Sequence, residues 1–230
     1  MAGVVKSRKL MAKSLGFRNI SVFVFFLMIV LTGCTNPGPN NDYYSNLSTE
    51  QKKAELRRSL EKNFEDSQTH FLLGQLYQAD KAWDDAEYQY NLALRFDPVY
   101  RPAQAAMVKL LLDRGDPVKA QHYLETYMNQ VKDSPDKLVG LGVEFQRQQL
   151  DNYALDCFQK ALELAPNSPI AHNYLGYFYL SKNEKDKARE YFEQSFNLDR
   201  NQPVIAHELG LLDVPVEYDG PVPETIAAEN

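Results

Sequence analysis

Apolar residues follow two patterns along the chain. Residues 20–31, ISVFVFFLMIVL, form one block interrupted only by Ser21. Further on, apolar and small residues recur with a long period instead. Four segments align without gaps at a spacing of 34 residues: 67–100, 101–134, 135–168 and 169–202. Their seventh and eighth positions are Leu73-Gly74, Met107-Val108, Leu141-Gly142 and Leu175-Gly176. The eleventh is Tyr77, Leu111, Phe145 and Tyr179. The twentieth is alanine throughout, at 86, 120, 154 and 188. The twenty-fourth is Tyr90, Leu124, Phe158 and Phe192, and the twenty-seventh is Ala93, Tyr127, Ala161 and Ser195. Self-similarity at such a period marks a stacked-repeat architecture, because one repeat cannot bury its apolar face alone.

Local signals divide each repeat into two helices. Gly115 and Asn183 fall in the turn, where positive φ comes easily to these residues. Ser134-Pro135 and Ser168-Pro169 place a capping hydroxyl before a proline at the first helical position. Pro98 and Pro166 close the first and third repeats. Before the array, residues 47–66 read as a charged capping helix opened by Ser48 and Gln51, a capping-box pair. After it, PVIAHELGLL resumes the repeat with Leu209-Gly210, predicting a lone capping helix over 203–213. Residues 214–230, with three prolines and four acids, read as a mobile acidic tail, with a partner-binding strand as the alternative.

The period and these residue types resemble the tetratricopeptide repeat, over residues 67–202 without interruption. The resemblance implies an all-α fold, a right-handed α-solenoid of four helical hairpins with capping helices at both ends. Repeat two departs most, with Val108 at the small position and Tyr127 in place of alanine. In that family, the second, fifth, ninth and twelfth positions of each first helix line a groove. Carried over, these are Gln68, Phe71, Gln75 and Gln78 in repeat one, and Ala105, Lys109 and Leu112 in repeat two. Repeat three supplies Val139, Val143 and Gln146. Repeat four supplies Ile170, Asn173, Tyr177 and Leu180, and the last helix His207 and Leu211. Family members that grip a C-terminal carboxylate use paired Lys, Arg and Asn there. Only Lys109 and Asn173 fit that clamp, and the remaining apolar, aromatic and amide lining suits an amphipathic helix or an extended peptide.

The first apolar block has a different meaning. Residues 1–19 carry Lys6, Arg8, Lys9, Lys13 and Arg18 and no acid. A basic head before a twelve-residue block that is apolar but for Ser21 is a secretory signal rather than a span, which needs about 20. Translation from Met1 or from Met11 is compatible with this. Leu31-Thr32-Gly33-Cys34 resembles the lipobox of bacterial lipoproteins, with an uncleaved signal anchor as the plainer alternative. The resemblance implies cleavage before Cys34, a diacylglycerol on its thiol and an N-acyl chain on the new terminus. Residues 34–46 then form a tether rich in Pro, Gly and Asn. Thr35 stands where an aspartate would retain such proteins at the inner membrane, so the expected location is the outer membrane, facing the periplasm.

Charge narrows the partners. The chain has 25 basic and 31 acidic residues, and removing the signal leaves 20 against 31, a formal charge of −11. That excludes nucleic acid, whose binding needs clustered Lys and Arg. Cys157, beside Phe158 in an apolar helical pattern, reads as a packing residue. His70, His122, His172 and His207 stand singly, without metal spacing, and there is no nucleophile elbow or phosphate loop. The expectation is therefore no enzyme, no metal, no small-molecule substrate and no cofactor beyond the acyl chains on Cys34.

Lipid anchor, tether and repeat array together resemble the pilotin lipoproteins of pilus biogenesis. That likeness implies a membrane-anchored periplasmic scaffold that holds a partner polypeptide, such as a secretin or another envelope assembly component. The alternative is an adaptor that docks peptidoglycan hydrolases or proteases at the outer membrane.

Overall fold

Each 34-residue period folds as two helices joined by a tight turn. In a computed structural model, which describes residues 46–218, ten helices and no strand occur among the described residues. They are α1 (Thr49–Lys62), α2 (Ser67–Ala79), α3 (Trp83–Phe96), α4 (Arg101–Arg114) and α5 (Pro117–Val131). After these come α6 (Pro135–Arg147), α7 (Asp151–Leu164), α8 (Pro169–Ser181), α9 (Lys185–Leu198) and α10 (Pro203–Leu211). Thus α2/α3, α4/α5, α6/α7 and α8/α9 are the four expected hairpins, and α10 is the lone first helix of a fifth. The signal segment, Cys34 and the tether up to residue 45 lie outside the described residues, as does 219–230.

The chain divides into two compact units, residues 1–55 and 56–230, so the division falls within α1. In the first, the Ser48 N–H donates to Gln51 Oε1 at 2.8 Å, and the Gln51 N–H donates to Ser48 Oγ at 3.3 Å. This reciprocal pair satisfies two of the donors that a helix start leaves open. In the second, Leu56 and Leu60 pack with Leu73 of α2.

The hairpin turns are identical in design. Lys81, Gly115, Gln149 and Asn183 are 34 residues apart, and all have positive φ, between 59° and 87°. At each, two backbone bonds close the first helix. The N–H of the positive-φ residue donates to Gln78, Leu112, Gln146 or Leu180. The next N–H donates to the carbonyl of Tyr77, Leu111, Phe145 or Tyr179. This is the Schellman closure, and it turns the chain back along its own helix. Gly115 and Asn183 fit that conformation, but Lys81 and Gln149 adopt it without help from their side chains.

Caps at the helix starts differ from the sequence expectation in one place. The Ser168 hydroxyl accepts from the Ala171 N–H at 3.2 Å, but Ser134 makes no such bond. Pro135 alone marks that start, its missing N–H being one the helix would leave open. Two aspartates cap helix starts with their side chains. Asp66 accepts from the N–H groups of Gln68 and Thr69, and Asp116 accepts from that of Lys119.

The core is a continuous column through the four hairpins. Tyr90, Phe145, Phe158 and Phe192 are fully buried. Each glycine at the eighth position gives one of these rings its place. A Cβ on Gly74 would stand 2.5 Å from the Tyr90 ring, on Gly142 2.6 Å from Phe158, and on Gly176 2.4 Å from Phe192. The missing side chain thus admits a ring between the two helices of one hairpin. Cys157 is buried beside Met128, sulfur to sulfur 3.3 Å, and burial pushes its thiol up to about 12. A thiol held protonated packs as a small apolar group.

The boundary expected at residue 214 moves outward. Val214, Val216 and Tyr218 are half-buried against the core, while Pro215 and Glu217 are exposed. The packed chain therefore extends at least to Tyr218.

Candidate functional site

First helices carry the candidate binding face, and its residues are not equally available. Gln68 and Gln75 are exposed. Phe71, Gln78, Lys109, Leu112, Val143, Gln146, Asn173, Tyr177, Leu180 and His207 are half-buried. Ala105 and Val139 are buried. Ile170 and Leu211 are the most open apolar members, 52% and 54% exposed. About half of each side chain lies in water, so covering it would recover half of the roughly 1.5–3 kcal/mol that full burial is worth.

Several of the polar members are engaged within the protein. The Tyr90 hydroxyl donates to Gln78 Oε1 at 2.7 Å, and Gln78 Nε2 donates to Asp113 Oδ2 at 3.3 Å. Lys109 pairs with the same Asp113 carboxylate, its neighbour one turn on. This chain of bonds couples repeats one and two and takes up the head groups of Gln78 and Lys109. Asn173 is tied in a similar way. Its Nδ2 donates to Gln202 Oε1 at 2.6 Å, while Gln202 Nε2 donates to the carbonyls of Ser195 and Asp199. The Tyr177 ring lies edge-on to Phe192, centroids 5.0 Å apart. The Tyr177 hydroxyl and Asn173 Oδ1 are sealed from solvent without a hydrogen-bond partner. Burial, then the nearby Glu208 and Tyr174, push that hydroxyl far above its ordinary value. Both groups therefore face the interior rather than the open face.

Residues outside the family positions also shape this region. Tyr100, the last residue of repeat one, meets Phe71 edge-on at 5.6 Å. Its hydroxyl is pushed up to about 12, by burial and then by the charges of Glu144, Asp66 and Asp97. The Arg101 guanidinium rests on Gly140, its atoms 3.2 Å from where a Cβ would stand. Burial pushes the Glu144 carboxyl up, against the pull of Arg147 and Arg101, and Arg147 Nη1 donates to Glu144 Oε1 at 2.7 Å. The only sequence signal for this seat is Gly140, a second glycine two residues before Gly142.

Two of the single histidines are held within the repeats. His70 stacks on Phe96, centroids 5.7 Å apart, with its ring nitrogens against the Phe64 carbonyl and the Gln89 amide. His172 Nδ1 lies 2.9 Å from the Ser168 carbonyl. Both occupy the fourth position of their repeats and are fully engaged in packing. No group of three His, Cys, Asp or Glu side chains among the described residues could hold a metal ion. No helix among the described residues is long and apolar enough to cross a membrane.

Comparison with known proteins agrees with the repeat reading. The family model of the tetratricopeptide repeat matches residues 157–190, from α7 through α8 into α9. A protein of Pseudomonas aeruginosa described as type IV pilus assembly protein PilF is 26% identical over 195 residues, which is 82% of this chain and 70% of that one. Among solved structures, PilW, called a widely conserved type IV pilus biogenesis factor, is 17% identical with a TM-score of 0.38. That likeness covers 74% of this chain and 82% of PilW. A crystal structure of MamA is 23% identical with a TM-score of 0.38, covering 64% of this chain and 80% of MamA.

Proposed function

From four stacked helical hairpins and a tetratricopeptide match over residues 157–190, we propose that the chain is a tetratricopeptide-type, membrane-anchored periplasmic scaffold that assists assembly of a pilus or secretion complex. A partner polypeptide, such as a secretin segment, lies along the face of α2, α4, α6, α8 and α10. The observation that carries this reading is that face itself. It offers half-exposed aromatic and aliphatic side chains on successive first helices, with Ile170 and Leu211 open at one end. The polar groups beside them are taken up by Tyr90, Asp113 and Gln202. An apolar strip of that kind selects an amphipathic or extended segment through spaced anchors rather than through a terminal carboxylate.

Two further supports come from sequence. Similarity to a type IV pilus assembly protein extends over most of the chain. The segment Leu31–Cys34 supplies the small residues and thiol that lipidation needs, and two or three acyl chains hold a protein on a bilayer almost permanently. On this reading the scaffold performs no reaction.

The double substitution Ile170→Glu with Leu211→Glu tests the face. Both side chains are exposed, so the helical array should persist while assembly of the partner complex falls at least tenfold. Undiminished assembly at unchanged protein level would contradict the proposal. The anchor is tested separately by the mass of the N-terminal peptide of the mature protein, expected to begin at Cys34 with its acyl chains.

A further inference from the structure

At the C-terminal edge, α10 departs from the pattern of the four hairpins. In each of them the positive-φ residue is the fifteenth of the repeat, and a second helix follows. Counting from Pro203, the equivalent residue is Asp213, the eleventh, with φ 62°. The closure is otherwise the same: the Asp213 N–H donates to Gly210 at 3.2 Å and the Val214 N–H to Leu209 at 2.9 Å. The helix thus stops one turn early. Among the described residues no second helix follows, and residues 214–218 form no regular secondary structure.

These residues behave as a ligand would. Their side chains alternate: Val214, Val216 and Tyr218 pack against the core, while Pro215 and Glu217 face solvent. That is the period of an extended chain on a surface, and Pro215 is compatible with it because an extended segment laid on helices makes no use of its N–H. The segment does not fill its seat. Between it and α9 lies a shallow pocket bounded by Phe196, Leu209, Glu193, Asn197 and Arg200. Phe196 and Leu209, nearly or fully buried, line this pocket together with Val214 and Val216.

We propose that the α9–α10 edge is a binding site for an extended polypeptide segment with β-branched or aromatic side chains at alternate positions, occupied in cis by residues 214–218. The site is distinct from the first-helix face, and its test does not depend on that face. A segment attached through so short a connection acts at an effective concentration on the order of millimolar. A partner segment of the same pattern would bind only by displacing it, so the edge stays covered until such a partner is presented.

The test uses the full chain and a fluorescent peptide of sequence DVPVEYD, read by anisotropy. Val214→Asp with Val216→Asp should unseat the segment. The variant should bind the peptide at least tenfold more tightly than the unaltered chain, and neither should bind a peptide carrying the same two aspartates. Equal affinity for the two chains, or no binding by either, would overturn the proposal. If circular dichroism shows that the variant has lost its helices, the unaltered chain decides. Excess unlabelled DVPVEYD should speed amide exchange at 214–218 at least threefold, and unchanged exchange would overturn the proposal.

Discussion

Repeat two and its three neighbours solve the same packing problem in different ways. Repeats one, three and four put a ring at the twenty-fourth position, nothing at the eighth and a small residue at the twenty-seventh. Tyr90, Phe158 and Phe192 lie against Gly74, Gly142 and Gly176, with Ala93, Ala161 and Ser195 fully buried nearby. Repeat two moves the bulk: Val108 at the eighth position, Leu124 at the twenty-fourth, Tyr127 at the twenty-seventh, all buried. Its helices α4 and α5 come close along a shorter stretch than the helices of the other hairpins. In exchange, α4 is buried over most of its length, from Ala103 to Leu111 with only Lys109 half-exposed. The difference teaches that the small position is half of a pair. A repeat tolerates a side chain there when the ring opposite is withdrawn, because interiors are packed to near-crystalline density.

Substitutions should break that comparison in order of size. Val108→Gly empties a site that Leu124 cannot fill and puts glycine inside a helix, a loss of about 3 kcal/mol in urea unfolding. A loss under about 1 kcal/mol would mean that repeat two has no packing of its own. Gly176→Val drives a branched side chain into the Phe192 ring and should cost about 2 kcal/mol. Adding Leu124→Phe to Val108→Gly rebuilds the arrangement of the neighbours, and the double-mutant cycle should recover at least about 1 kcal/mol. Strict additivity would sink the pairing.

Smaller effects separate repeat two further. The Tyr127 hydroxyl is buried and unpartnered, so Tyr127→Phe should raise stability by about 1 kcal/mol. At the turns, Gly115 holds a φ of 87° that Gln149 must match at 60° with a side chain. Gln149→Gly should therefore gain about 0.5 kcal/mol, the conformational relief less the added freedom of the unfolded chain. Gly115→Ala should lose about 1 kcal/mol by the same reasoning. Thermal unfolding of the pair reads both signs.

Much of this fold is legible in the sequence because the repeat copies it four times. The period alone places Lys81 and Gln149 in the turn once Gly115 and Asn183 are recognised, although neither side chain signals a positive φ. The glycine–ring pairs are legible as recurring residues, but their geometry is not. A small residue suggests close helices, whereas here it seats a ring. The segment 214–218 is hidden for a different reason. Prolines and acids look like a chain with nothing to bury, and only the alternation of Val214, Val216 and Tyr218 hints otherwise. For the candidate face, the family positions name residues on the first helices whose exposure ranges from buried Ala105 and Val139 to open Ile170 and Leu211. They do not reveal that Gln78, Lys109 and Asn173 are bonded within the protein: Gln78 reaches Asp113 of the next repeat, Lys109 pairs with that same Asp113 one turn on, and Asn173 reaches Gln202, the last residue of its own repeat.

The two faces of the array give the most direct test of the binding role. Ile170 and Leu211 stand on first helices, whereas Val118, 81% exposed, stands on the second helix α5. A photo-crosslinking side chain at each position, activated in living cells, should trap one and the same envelope assembly protein from 170 and 211, and at least tenfold less of it from 118. Equal capture of that protein from all three positions would contradict a partner held along the first helices.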